Sequence, residues 1–267
     1  MTSALLALMV IALGAGRAHA ADEEIRSIPT RPGVTEAFVM VRPAGVPVAS
    51  VVLFSGSRGR LRLERGLPGA AATNVLVRNR ARFAERGLLV AVVDSPSDRL
   101  ADGLVRFRTS AEHAADVRAL IAALRAQAPV PVWLVGTSMG SVSAASVAAR
   151  LESGGPDGIV LTSSVTGQSR EMAESLQDVA LDRIRVPALV VHHRDDGCRA
   201  SRYADTSWLM RRLSAAPKRE LLTFSGGDAP QSDACEPLAP HGYFGLDAQV
   251  VDAIAAWIIA TPAVAKP

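Results

Sequence analysis

The residue pattern with the clearest chemical meaning is the pentapeptide G-T-S-M-G at residues 136–140. It follows the apolar run 130–135 and precedes the small residues 141–149, which predicts a strand, a sharp turn and a helix. Side chains two places before and after the serine would clash across such a turn, so glycine suits both places. The helix would aim free N–H groups and its positive dipole end at Ser138. The pattern therefore marks Ser138 as a candidate nucleophile.

A serine hydroxyl is a poor nucleophile at neutral pH and needs a base, usually a histidine oriented by a carboxylate. The chain has five histidines. His19 lies in the N-terminal segment 1–20, which is predicted to be removed as a signal peptide, and His113, in the first turns of a predicted helix, is interpreted as a surface or capping residue. His192 and His193 end a predicted strand, and His241 lies in a loop before the terminal helix. The residue types alone do not choose among the last three.

The elements that must position these residues alternate between strand and helix. Apolar runs predict strands at 36–42, 48–54, 88–93, 130–135, 158–162, 187–192 and 220–224. Helices are predicted over 70–86, from the capping-box pair Thr109 and Glu112 to 127, over 141–149, near 170–181, and over 203–213 and 247–259. Continuous apolar strands separated by helices indicate a mostly parallel sheet covered on both faces. We therefore expect a three-layer α/β/α sandwich.

Ligands in such sheets bind at the carboxyl ends of the strands. The loops at 55–59, 94–99, 136–140, 192–198 and 235–241 each follow a predicted strand. We therefore expect these loops to gather at one edge of the sheet.

Composition and the N-terminus limit the class of protein. The 267 residues are 49% hydrophobic and 21% charged, and the formal net charge of +3 gives no reason to expect nucleic acid as a partner. Residues 4–16 are almost wholly apolar but too short to span a bilayer, and they precede the small-x-small sequence Ala18-His19-Ala20. This pattern predicts a signal peptide over 1–20, cut after Ala20. The alternatives are a buried first helix or an uncleaved anchor.

Cleavage would leave a single domain over 21–267, with no stable membrane anchor and a periplasmic or secreted location. The even number of cysteines, Cys198 and Cys235, favours one disulfide in an exported protein. The alternative is two unlinked buried thiols. Their spacing does not resemble a metal site, so no metal is expected.

Taken together, these motifs resemble the α/β-hydrolase superfamily, in particular its small lidless esterases and dienelactone hydrolases. That family places nucleophile, acid and histidine in this order along the chain. The segment LVVHHRDD at 189–196 resembles the family's strand followed by H-G-x-x-D, which implies Asp196 as the acid, with Asp195 as the neighbouring alternative. His241, followed by glycine and an aromatic residue, resembles the family's histidine loop. The resemblance covers essentially the whole mature chain and implies a triad with Ser138.

The resemblance also implies an oxyanion loop, which often begins with His-Gly in the family and here reads Ser55-Gly56. The implied donors are the backbone N–H groups of Ser57 and Met139. Residues 58–65 carry four arginines, interpreted either as a solvated face or as contacts to an anionic substrate. The loop 94–99 is expected to border the pocket or to serve loop structure. Candidate substrate contacts are Gly56, Arg58, Asp94 and Ser95.

A disulfide between Cys198 and Cys235 would then tie the acid loop to the histidine loop. The implied function is a serine hydrolase that cleaves a carboxylic ester or thioester of a small substrate through an acyl-enzyme, without a cofactor. Residues 162–187 leave no room for a large lid, which favours a small or flexible ester. A noncatalytic binding protein of this fold and an acyltransferase using the same site are the alternatives. The sequence does not specify the natural substrate or the oligomeric state.

Overall fold

One eight-stranded sheet forms the centre of this computed structural model, which describes residues 22–68, 74–167 and 174–263. The predicted signal peptide lies outside the described residues. The strands are β1 (Asp22–Arg31), β2 (Val34–Arg42), β3 (Ala49–Phe54), β4 (Leu88–Val93), β5 (Val132–Thr137), β6 (Gly158–Thr162), β7 (Ala188–His193) and β8 (Arg219–Phe224).

The order of the strands in the sheet is β1-β2-β4-β3-β5-β6-β7-β8. The pairs β1/β2 and β2/β4 are antiparallel, and all other neighbours are parallel. The chain crosses from β4 on one side of β3 to β5 on the other side. The carboxyl ends of β3 and β5 therefore lie at a topological switch point, where open α/β sheets bind ligands.

Helices cover both faces of the sheet. They are α1 (Val75–Arg78), α2 (Arg80–Glu85), α3 (Ala111–Gln127), α4 (Met139–Arg150), α5 (Thr206–Arg212) and α6 (Asp247–Ala260). One hydrophobic core joins the sheet to α3, α4 and α5, and a second core joins the opposite face to α1, α2 and α6. The three-layer α/β/α sandwich with a mostly parallel sheet is thus confirmed.

The two cores explain why the central strands are continuous apolar runs. In β4, Leu89, Ala91 and Val93 belong to the first core, and Leu88, Val90 and Val92 belong to the second. Successive side chains of a strand point to opposite faces, so a strand covered on both faces needs an apolar residue at every position.

Helix α6 is also rich in apolar residues because it packs against the sheet. Within the described residues, the segment Pro240–Ala260 is the one helical stretch that is long and apolar enough to cross a membrane. Its apolar residues, however, pack into the second core against the sheet, as Val250, Val251, Ile254 and Ile258 show. The burial of this face accounts for its composition.

The structure differs from the sequence-based elements in four places. Strand β1 was not predicted, because it lies at the sheet edge, where its side chains are exposed or only partly buried, and its sequence has no apolar run. The helix expected over 70–86 is divided at Asn79 into α1 and α2, and residues 69–73 lie outside the described part. Ser110, rather than Thr109, caps α3 by accepting the His113 N–H at 3.0 Å. The helix expected near 170–181 falls partly on undescribed residues 168–173, and the described part forms short 3-10 turns at Leu176–Asp178 and Leu181–Arg183.

Candidate active site

Ser138 lies at the tip of the turn between β5 and α4, with φ 52° and ψ −126°. A Cβ at Gly136 would collide with the carbonyl of Gly140, and a Cβ at Gly140 would collide with the carbonyl of Phe54. Both positions therefore require glycine, because the turn brings them into close contact with each other and with the end of β3. The serine is held in a backbone conformation that non-glycine residues rarely adopt, as strained functional sites often are.

The loop after β3 lies directly against this turn. A Cβ at Gly56 would lie 3.0 Å from the Ser138 Cβ. The next residue, Ser57, has φ 50°, and Met139 is the first residue of α4, where the N–H has no intrahelical acceptor. Among the described residues, neither the Ser57 N–H nor the Met139 N–H donates a hydrogen bond. Two backbone donors near one serine are the arrangement that binds a developing oxyanion.

His241 and Asp196 are joined by a hydrogen bond of 2.8 Å between Nδ1 and Oδ2. Both side chains are buried. Because a carboxylate only accepts, Nδ1 carries the proton, and in the neutral ring Nε2 is the basic nitrogen. Nε2 is buried and has no hydrogen-bond partner among the described residues. This is the orientation that a general base requires.

The Asp196 carboxylate accepts three hydrogen bonds and lies close to a second histidine. Oδ1 accepts the N–H of Cys198 at 2.9 Å. Oδ2 accepts Ser201 Oγ at 3.1 Å and lies 3.4 Å from His192 Nε2, besides its bond to His241. Burial alone would raise the pKa of Asp196, but its interactions with His192, His241 and the Cys198 N–H lower it to about 2. The carboxylate is therefore ionised at neutral pH.

The end of β6 links the serine turn to the histidine loop. The N–H of Ser138 donates to the carbonyl of Thr162 at 3.0 Å, and the next residue, Ser163, donates its Oγ to the carbonyl of His241 at 2.7 Å. Two consecutive residues thus hold the backbones of the candidate nucleophile and the candidate base. Ser163 was missed by sequence reasoning, since a serine in a short polar segment carries no signal of this role.

Tyr243 fixes the same loop from inside the core. Its hydroxyl donates to the carbonyl of Val191 at 2.8 Å and accepts the Ser163 N–H at 3.2 Å. Burial raises the pKa of Tyr243 above its ordinary value. The sequence did mark an aromatic residue after His-Gly, but it gave no indication that the hydroxyl joins β7 to the residue after β6.

Cys198 and Cys235 form a disulfide, with their Cα atoms 4.5 Å apart, as the sequence analysis expects. The Cys198 N–H also bonds Asp196, so the bridge begins at a residue that holds the acid. Its other end lies six residues before His241 in the chain. The crosslink therefore connects the two loops that carry the His–Asp pair.

The remaining histidines and Asp195 serve other contacts. Asp195 is exposed and donates its N–H to His193 Nδ1 at 3.0 Å, and His193 Nε2 bonds the carbonyl of Gly226 at 3.0 Å. His113 is fully buried between Phe54 and Phe107. Its interpretation as a surface or capping histidine is therefore wrong. Burial, followed by the charges of Arg108 and Arg31, lowers the pKa of His113 to about 3.

The candidate substrate contacts separate into two groups. Gly56 lies beside Ser138, and Arg58 is exposed on the same loop. Asp94 and Ser95 are buried. The Asp94 carboxylate accepts the backbone N–H groups of Leu61, Ser95 and Leu63 at 2.7–2.8 Å. The Ser95 Oγ donates to the carbonyl of Gly59 at 3.3 Å. In this structure these two side chains hold the loop that follows β3.

The arginines of residues 58–65 are mostly solvated. Arg60 forms an ion pair with Glu64 at 3.0 Å, and Arg58, Arg62 and Arg65 are exposed. Among the residues that the structure describes, no cluster of His, Cys, Asp and Glu could hold a metal ion.

No family model and no curated protein sequence matches the chain. Solved structures do match it over nearly its full length. A lidless α/β serine hydrolase from Xanthomonas campestris is 17% identical with a TM-score of 0.56, and the match covers 91% of this chain and 98% of that one. An esterase from Pyrococcus furiosus is 12% identical with a TM-score of 0.63, covering 89% and 91%. A dienelactone hydrolase from Anabaena variabilis is 15% identical with a TM-score of 0.58, covering 90% and 98%. The chain thus has the α/β-hydrolase fold.

Proposed function

We propose that the protein is a serine hydrolase that cleaves a carboxylic ester or thioester of a small substrate. Ser138 is the nucleophile, His241 the general base and Asp196 the acid that orients it. The observation that carries this proposal is the buried 2.8 Å hydrogen bond between His241 and Asp196, in a loop tied through β6 to the strained serine turn. The fold is shared with an esterase and a dienelactone hydrolase, which supports an ester substrate.

In the proposed mechanism, Ser138 Oγ attacks the carbonyl carbon while His241 Nε2 takes its proton. Nε2 has no partner among the described residues, so the Oγ–Nε2 hydrogen bond would form in the Michaelis complex, where catalytic contacts tighten. The N–H groups of Ser57 and Met139 would bind the oxyanion, each donor contributing about 2.7–4 kcal/mol. His241 then returns the proton to the leaving alcohol or thiol. In the second half, His241 takes a proton from water as the water oxygen attacks the acyl carbon, and returns it to Ser138 Oγ as the carboxylic acid leaves.

Asp196 would contribute through its charge and its position. With a pKa of about 2, it stays ionised throughout the cycle and stabilises the imidazolium that forms on His241. Its three hydrogen bonds and the disulfide leave it little freedom to move. An error of about 1 Å in such a contact can cost about 100-fold in rate.

The compartment belongs to the same proposal. A disulfide persists in oxidising surroundings, so the Cys198–Cys235 bridge is compatible with a periplasmic or secreted protein. Intact mass of the mature protein, purified from its native host, tests the predicted cleavage after Ala20. A mass that includes residues 1–20 would contradict it.

Labelling with a fluorophosphonate probe tests the function. We expect wild type to be labelled and Ser138→Ala to remain unlabelled, with hydrolysis of p-nitrophenyl acetate reduced at least about 1000-fold. Ser146→Ala is the matched control, because it removes a hydroxyl from the same helix, α4, without touching the proposed triad.

Three outcomes separate the alternatives. Equal labelling of wild type and Ser138→Ala would contradict the mechanism. An unlabelled wild type that hydrolyses no ester of graded acyl length would favour a noncatalytic binding protein. A wild type that transfers the acyl group to added glycerol faster than to water would be an acyltransferase using the same triad.

A further inference from the structure

We infer that Arg108 is a positioning residue for the oxyanion hole, acting through the backbone of the loop after β3. The inference rests on the proposed function, because it assigns the Ser57 N–H as an oxyanion donor. Arg108 lies 30 residues before Ser138 in the chain, and no sequence motif marks it.

The Arg108 guanidinium is fully buried and binds both halves of the candidate site. Its Nη2 donates to the carbonyls of Ser55 at 3.3 Å and Ser57 at 3.1 Å. Its Nη1 donates to Ser143 Oγ at 2.8 Å, on the helix that follows the nucleophile. One rigid fork of donors therefore fixes the loop after β3 relative to α4.

Arg108 binds the two peptide groups on either side of the one that carries the Ser57 N–H. The carbonyl between the two held by Arg108, that of Gly56, accepts the Gly59 N–H at 3.0 Å. Three consecutive carbonyls, at residues 55–57, are thus all bound. A trans peptide is planar, with its C=O and N–H on opposite sides, so fixing the Gly56 carbonyl also fixes the Ser57 N–H. The guanidinium leaves this N–H free while it binds its neighbours.

The loop needs such support because its backbone is strained. Ser57 has φ 50°, a region that non-glycine residues seldom occupy. Gly59 completes the fit, since a Cβ there would lie 2.7 Å from Nη2 of Arg108. The Arg108 guanidinium thus occupies the space into which a side chain at residue 59 would project.

The charge of Arg108 is costly to bury. Among the described residues it makes no salt bridge, and Nε has no hydrogen-bond partner. Burial lowers the pKa of Arg108 to about 10, with the charge of Glu174 opposing the shift, so the guanidinium is still a cation at neutral pH. Buried groups with shifted pKa values cluster at functional sites. Here the cation lies one peptide group from the Ser57 N–H, where negative charge would develop.

Steady-state kinetics of Arg108→Met and Arg108→Lys test the inference, with p-nitrophenyl acetate as substrate. Arg106→Lys is the matched control, because Arg106 is exposed on the same segment and forms no ion pair with any of the described residues. Arg108→Met removes the charge and the fork, whereas Arg108→Lys keeps the charge and at most part of the fork.

We expect Arg108→Met to lower kcat about 10- to 100-fold, below the 100- to 1000-fold loss from deleting an oxyanion donor outright. KM should change less than about threefold, because the interaction acts in the transition state. Arg108→Lys should fall between wild type and Arg108→Met. Amide hydrogen exchange at residues 55–59 should accelerate in both variants, which a role in general stability alone would not confine to this loop.

A folded Arg108→Met or Arg108→Lys with wild-type kcat would overturn the inference. If Arg108→Met does not fold, Arg108→Lys decides alone by its kcat and by exchange at 55–59. Ser138→Ala is measured in the same assay. Hydrolysis that survives this change would refute the proposed function itself, whereas hydrolysis that needs Ser138 but not Arg108 would refute only the role of Arg108.

Discussion

Replacing Asp196 with asparagine should separate the acid of the proposed triad from its neighbour. Oδ2 of Asp196 accepts hydrogen bonds from two side chains, those of His241 and Ser201, and Oδ1 accepts one backbone N–H. An asparagine has only one acceptor oxygen. If the amide oxygen of the asparagine faces His241, the amide NH2 group faces the Cys198 N–H. If the amide is turned by 180°, the NH2 group faces His241 instead. Either orientation places two donors against each other.

The magnitude follows from the pKa of Asp196, which is lowered from 3.8 to about 2. At about 1.36 kcal/mol for each tenfold change in acid strength, the ionised carboxylate contributes roughly 2.5 kcal/mol to folding. A lowered pKa means that the unfolded state binds the proton more tightly. The contribution is therefore complete above about pH 4 and is lost as pH falls through about 2.

We expect Asp196→Asn to lower kcat by about 1000- to 10,000-fold, because the imidazolium on His241 loses its negative partner. Its free energy of unfolding near pH 7 should fall by roughly 2–3 kcal/mol. Asp195→Asn is the matched control, since Asp195 is exposed and uses only its backbone N–H toward His193. This control should keep wild-type kcat and stability.

The assays are ester hydrolysis and urea unfolding at pH values between 2 and 7. The wild type should lose stability between pH 4 and 2 to a greater extent than Asp196→Asn, which has no carboxylate to protonate at this site. The reasoning would be refuted if Asp195→Asn lost as much activity as Asp196→Asn. It would also fail if the two variants showed the same pH dependence of unfolding.

Two further changes test the contributions of the disulfide and of a buried carboxyl group to stability. Replacing Cys198 and Cys235 together with serine should lower the free energy of unfolding by about 3–4 kcal/mol in the chain-entropy model, since the bridge spans a separation of 37 residues. Chemical denaturation checks this against wild type treated with reductant, and an unchanged midpoint in both would contradict it. Burial, then Asp116, raises the pKa of the buried Glu36 well above 4.5. Because the folded state holds this proton more tightly than the unfolded state, the stability of the wild type falls as pH rises above about 4.5, and Glu36→Gln should gain stability relative to wild type between pH 4 and pH 8. The prediction would be contradicted if the difference in unfolding free energy between Glu36→Gln and wild type were the same at both pH values.

Much of the architecture could be predicted because it depends on local periodicity. The central strands are apolar at every position, as in β4, because helices cover both faces. The boundaries were less predictable where tertiary contacts chose between neighbours. Thr109 has the capping-box spacing, yet it bonds Glu174 through its N–H and Oγ1, and Ser110 caps α3 instead. Strand β1 forms the edge of the sheet, where its side chains are exposed or only partly buried, so no run of apolar residues marks it in the sequence.

The site shows the same division. The proposed order of serine, acid and histidine rests on the resemblance of three motifs to the α/β-hydrolase superfamily. Which of the adjacent carboxylates contacts the histidine is a matter of geometry, because Asp195 points to solvent and Asp196 is buried against His241. The burial of His113 between two aromatic rings likewise depended on how α3 packs.

By itself, the sequence determined the alternation of strands and helices, the glycines that the serine turn requires, and the loops that follow the strands. These depend on residues close together in the chain, where backbone sterics and side-chain periodicity act directly. Only the tertiary structure decided that Ser163, Tyr243 and Arg108 hold those loops. Their contacts join segments that are distant in sequence, so they exist only after the sheet and its helices have packed.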